Sequence, residues 1–233
     1  MKFRLGEELE NLENGILLSM TKNLLITGDS FCAVRNKWPL QFCGLLGNHS
    51  LYGTGFSGCS WWSVRKEIIE YLKIKNNIHT LVVLHTEPYR MPSDNDLPLN
   101  SAATKIATKI GDPYIEAIKG YYKYLISEPF HLWAYFNWFQ ELEVIISNSS
   151  LEKVVHLYCF PGPWTRYVFK KGITIQKDIL SWSKRSKKDL VSDDEKYSIY
   201  PNHLSLEDNE LFAKRLHEVF TTRYQDSVGI TDF

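Results

Sequence analysis

Three short runs in this chain, Asn23-Leu24-Leu25-Ile26-Thr27, Thr80-Leu81-Val82-Val83-Leu84-His85 and Lys153-Val154-Val155-His156-Leu157-Tyr158-Cys159-Phe160, are apolar almost without interruption. A strand with one wet face alternates polar and apolar residues; a run that does not alternate is covered on both faces, the condition of a strand inside a parallel sheet. Between the runs lie stretches whose apolar residues recur at helical spacing. Strand–helix alternation of this kind leads to an α/β architecture, a parallel sheet with helices packed over it.

The intervening segments refine that expectation. Trp38 to Gly47 has helical spacing, with Pro39 suited to a first turn and Gly47 to a stop. A short strand at about Ser50 to Tyr52 precedes the glycine turn Gly53-Thr54-Gly55-Phe56-Ser57-Gly58, and a helix carrying Val64, Ile68, Ile69 and Leu72 follows. After the second long run, Met91 to Asn100 reads as a loop, and two amphipathic helices between Pro113 and Ser147 are separated near Glu128-Pro129. They constitute a helical insertion at about 95–150. Pro161-Gly162-Pro163 stops the third long run, and the charged stretch at about 181–197 reads as a solvated loop. Ser205-Leu206-Glu207-Asp208 has the form of a helix cap before Leu211, Phe212, Leu216, Val219 and Phe220. The whole of 1–233 is expected to be one domain.

Charge and length exclude several functions. Lys plus Arg and Asp plus Glu number 27 each, so no global field attracts nucleic acid or an anionic membrane surface. No stretch approaches the roughly 18 apolar residues of a membrane span, and Ile16-Leu17-Leu18 is too short for a signal-peptide core. The expected location is therefore cytoplasmic. Cys32, Cys43, Cys59 and Cys159 lack paired CxxC spacing and are expected as free, buried thiols. His49, His79, His131, His156 and His217 show no ligand spacing, so neither a metal nor another cofactor is expected.

The first long run ends in Gly28-Asp29-Ser30, which places a hydroxyl at the carboxyl end of a buried strand, where open α/β sheets bind ligands. A serine nucleophile needs an imidazole to take its proton, and His203, just ahead of the last helix, is the candidate. Here the chain resembles the SGNH, or GDSL-type, hydrolases: Ile26-Thr27-Gly28-Asp29-Ser30 resembles their first block, Phe56-Ser57-Gly58-Cys59-Ser60 their second, and Asn202-His203-Leu204-Ser205 their last. The resemblance implies a three-layer α/β/α sandwich with a parallel, flavodoxin-like sheet. It also implies serine-dependent hydrolysis of a small-molecule or carbohydrate ester, as in esterases and carbohydrate deacetylases. Ser30 inherits the nucleophile's role, His203 the general base's, and the N–H groups of Ser30 and Gly58 an oxyanion hole. The family's third-block asparagine is absent; the second run ends in His85-Thr86-Glu87, and Thr86 is the residue with a hydroxyl to offer the oxyanion. Tyr200 stands where the family has an aspartate three residues before the histidine, which leaves a Ser–His dyad. A backbone carbonyl, or a carboxylate of Asp193, Asp194 or Glu195, would orient its imidazole.

Other readings of the same residues stay open. The sandwich can serve as a binding or structural module after losing catalysis. Gly53, Gly55 and Gly58 form the GxGxxG spacing of a nucleotide-binding turn. His85-Thr86-Glu87 has the His-x-Glu form of zinc deaminases, without the Pro-Cys-x-x-Cys partner. Cys32 and Cys59 flank the serine as alternative nucleophiles, and the aromatic run Phe130 to Phe139 is either core packing or a platform for a sugar or acyl group.

Overall fold

The computed structural model describes residues 21–56, 58–74, 77–90, 115–184, 203–222 and 229–231. Six strands form one sheet: β1 (Lys22–Thr27), β2 (His49–Tyr52), β3 (Ile78–His85), β4 (Lys153–Tyr158), β5 (Ile173–Ile175) and β6 (Gly229–Thr231). Their order is β2-β1-β3-β4-β5-β6, and every neighbouring pair is parallel. The expected α/β sandwich with a parallel sheet is the fold observed. In the middle of the sheet Ile26, Val82 and Val155 stand in register, and all three are buried. Both faces of these strands are covered, as their unbroken apolar sequence requires.

The covering helices are α1 (Trp38–Leu45), α2 (Trp61–Ile74), α3 (Ile115–Gly120), α4 (Glu128–Ser147), α5 (Ile179–Trp182) and α6 (Leu206–Thr222). The strand order reverses direction at β1, so crossovers of the usual right hand send α1 and α2 to opposite faces. Aromatic pairs join α1 to α6, Trp38 on Phe212 with ring centroids 5.0 Å apart and Phe42 on Phe220 at 5.7 Å. On the other face the Arg65 guanidinium of α2 donates twice to the Glu141 carboxylate of α4, at 2.8 and 2.5 Å. Pro39 and Pro129 each occupy a first helical turn, where a missing N–H goes unused.

The expected inserted helices are α3, continued by a wider π turn over Tyr121–Leu125, and α4. The aromatic run divides by helical spacing: Tyr135, Trp138 and Phe139 enter the core, whereas Phe130 and Trp133 lie on the exposed face. β5 and β6 are not anticipated by the sequence reading. Each has three residues, too few to display a period. The charged loop expected at about 181–197 begins inside α5, whose Asp178 cap accepts from the Ser181 N–H at 2.8 Å. Its remainder beyond Lys184, with Asp193, Asp194 and Glu195, lies outside the described residues, as do Ser57, Met91 to Asn100, Pro113 and Tyr200. Among the described residues no helix is long and apolar enough to cross a membrane.

Candidate functional site

β1 runs directly into the site. Gly28 leaves the strand at φ +148°, and a Cβ there would come within 2.4 Å of Leu84 Cβ on β3, so a side chain would force β1 and β3 apart. The next residues, Ser30–Cys32, form a 3-10 turn capped by Asp29, and Ser30 is buried. The glycine turn folds onto this one: the Phe56 N–H donates to Gly28 O at 3.0 Å, the Thr54 hydroxyl to Ala33 O at 3.0 Å, and Gly55 has no room for a Cβ beside Asp29 O. Close packing of backbone on backbone therefore accounts for Gly55, where a nucleotide-binding turn would have kept it open for phosphate.

Asp29, fully buried, is the centre of the arrangement. Its Oδ1 accepts the Ser30 N–H at 2.5 Å and the Gly58 N–H at 3.3 Å; its Oδ2 accepts the Thr86 hydroxyl at 3.0 Å and pairs with an Arg90 guanidinium nitrogen at 2.7 Å. The three groups that the sequence reading assigned to an oxyanion do converge. They converge on this carboxylate.

Arg90, which the sequence reading missed, is itself buried. It also donates to Cys59 O at 3.4 Å and to Glu87 Oε1 at 3.4 Å, and its guanidinium lies 4.9 Å from the centre of the Phe160 ring. Burial opposes its charge, but the Asp29 and Glu87 carboxylates outweigh that and hold its pKa above the ordinary arginine value. A cation just past the end of β3, in a loop feeding the strand-end crevice, was the available signal. The loop is steadied from the insertion: the Tyr135 hydroxyl donates to Thr86 O, and the Tyr122 hydroxyl to Tyr89 O at 3.0 Å.

His203 reaches the same place from the other end of the sequence. Its ring meets the Phe31 ring edge to face, centroids 5.5 Å apart, so the histidine stands beside the residue that follows Ser30. It is buried and adopts φ +58°, a left-handed conformation uncommon outside glycine that histidine enters more readily than most side chains. Two residues on, the Ser205 hydroxyl accepts the Asp208 N–H at 2.9 Å, so the expected cap of α6 is present.

The remaining candidates behave as structure. The Cys32 thiol donates to Asp29 O at 3.3 Å and the Cys59 thiol to Gly28 O at 3.1 Å. Burial, reinforced by neighbouring acidic groups, pushes both thiols well above the usual range, which suppresses the nucleophilic thiolate. All four cysteines are free and buried. His85 stacks on His156, its Nε2 3.1 Å from His156 Nδ1, and burial drives its pKa far below the ordinary value. No group of three or more potential metal ligands occurs among the described residues. Glu67 of α2 lies beneath the serine turn, accepts the Thr27 hydroxyl, and is raised to about 7 by burial. Nothing in its sequence context announces this, because Glu67 sits on a helix whose neighbours Lys66 and Glu70 are solvated.

No protein-family model, curated protein or solved structure matches the chain.

Proposed function

We propose that the chain is an SGNH-like ester hydrolase in which Ser30 is the nucleophile and His203 the general base, acting on a small-molecule or carbohydrate ester. One observation carries the reading: the serine turn and the histidine turn, from opposite ends of the sequence, pack together at the carboxyl end of the sheet through Phe31 and His203. In the reaction the Ser30 hydroxyl oxygen bonds to the ester carbonyl carbon while its proton passes to the His203 imidazole. The tetrahedral centre collapses and the alcohol leaves with that proton; water, deprotonated by His203, then attacks the acyl-serine, the acyl–Ser30 bond breaks, the carboxylic acid is released and the proton returns to the Ser30 oxygen. The oxyanion takes the Ser30 and Gly58 N–H groups once the Asp29 carboxylate turns toward Thr86 and Arg90, which already hold its other oxygen.

A second reading, a binding or structural module without catalysis, draws on the same carboxylate, because Asp29 now occupies the donors that an oxyanion needs. A fluorophosphonate probe separates the two. The hydrolase forms a covalent phosphonyl adduct, fluoride leaving, and peptide mapping finds it on Ser30 in the parent and nowhere in His203→Ala. An unmodified Ser30 under conditions that label ordinary serine hydrolases is the result that supports the second reading and overturns the first.

A further inference from the structure

We infer that Trp38 and Asn209 are positioning residues which set His203 against Ser30, the task a triad aspartate performs in the family's usual pattern; the inference rests on the hydrolase reading. Asn209 lies on the buried stripe of α6 that Phe212, Ala213 and Leu216 continue, and it is wholly inaccessible to solvent. Its side-chain carbonyl accepts the Trp38 backbone N–H at 3.2 Å, and its amide donates to Leu204 O at 3.2 Å and to Ser205 O at 2.9 Å. Trp38 in turn gives its indole N–H to Phe31 O at 2.6 Å. Phe31 closes the circuit by packing on His203.

The circuit ends on the backbone one residue beyond each of the two that matter: Phe31 directly follows Ser30, and Leu204 directly follows His203. Apolar contact between α1 and α6, Trp38 on Phe212, sets how far apart the helices stand but tolerates sliding. Directional bonds from one buried amide do not tolerate it, because each displaced partner would be left unsatisfied out of reach of water. The bridge therefore fixes the register of the two turns.

The test compares the rate of Ser30 phosphonylation in the parent, Trp38→Phe, Asn209→Leu and Asn209→Asp, each confirmed folded by circular dichroism, with Ile146→Ala as a control. Ile146 is buried in α4, away from both turns, and its truncation destabilises the core without touching the bridge. Misplacement of the order of 1 Å costs roughly 10²-fold in rate. Trp38→Phe and Asn209→Leu are expected to label tenfold to a hundredfold more slowly, on the order of that penalty, whereas Ile146→Ala labels at the parent rate. Asn209→Asp, which keeps the acceptor for the Trp38 N–H, falls between. The His203 ring-proton shifts in NMR, set partly by the Phe31 ring, supply a readout independent of catalysis. They move in both bridge variants if the bridge positions the histidine, even where an unlabelled parent has sunk the hydrolase reading. Unmoved ring shifts in folded Trp38→Phe and Asn209→Leu overturn the inference, as do parent labelling rates in those variants.

Discussion

At Asp29 two carboxylate oxygens receive four donors, one of them a buried cation, and an amide at that position would turn donors of its own toward the Ser30 and Gly58 N–H groups or toward Arg90. Breaking a buried ion pair by removing one partner costs about 3–5 kcal/mol. Asp29→Asn is therefore expected to lower the urea-unfolding free energy on that scale, and Arg90→Met in the same background to recover part of it, since the uncompensated charge is then gone. Glu67 makes an opposite kind of prediction. Its folded pKa, about 7, lies above the ordinary 4.5, so its favourable contribution is full below about 4.5 and is lost as pH rises through about 7. The unfolding free energy of the parent, taken relative to that of Glu67→Gln at each pH, should therefore fall with rising pH across that window. Ser30, Gly58 and His203 were legible because a strand end, a glycine turn and a helix cap mark their places. Asp29's role was not, since one aspartate in Gly-Asp-Ser reads equally as a helix cap, and only three-dimensional convergence brings Arg90 and Thr86 to it.

β3 and β4, the central pair, carry a stack of rings in place of further aliphatic side chains. His85 and His156 are hydrogen-bonded to each other, and the His156 ring lies on Phe169 with centroids 3.6 Å apart. Burial lowers His156 from the ordinary 6.5 to about 3, and His85 also titrates well below its usual range. A histidine kept neutral in the folded state stabilises it fully above about 6.5, and that contribution is lost as pH falls toward about 3. The parent should accordingly lose unfolding free energy between pH 6.5 and 3, and the double replacement His85→Phe with His156→Phe should lose less over the same interval, whatever its stability at neutral pH. The long strands were readable in sequence because β1, β3 and β4 are covered on both faces and so lack alternation. β5 and β6 were not, because three residues pairing at the rim of a sheet need no periodicity of their own. Asn209 shows the limit for helices: a polar residue on an apolar stripe signals a buried partner, but the stripe does not say which one.

Across the whole molecule, the sheet serves to carry chain segments remote in sequence to its carboxyl end. β1 delivers Ser30, β3 delivers Thr86 and Arg90, the turn before α2 delivers Gly58, and the segment before α6 delivers His203. The fold class followed from the strand pattern alone, whereas the site depended on which strand ends become neighbours, a property of the order β2-β1-β3-β4-β5-β6 that no local pattern encodes. The central claim, that Ser30 and His203 work as one catalytic unit, is tested most directly by the initial rate of aryl acetate hydrolysis in the parent, Ser30→Ala, His203→Ala and the double variant. Members of one unit are strongly non-additive, so each single replacement should remove most of the activity and the double variant should be little worse than either. Full activity in Ser30→Ala, or losses that multiply in the double variant, would contradict the account.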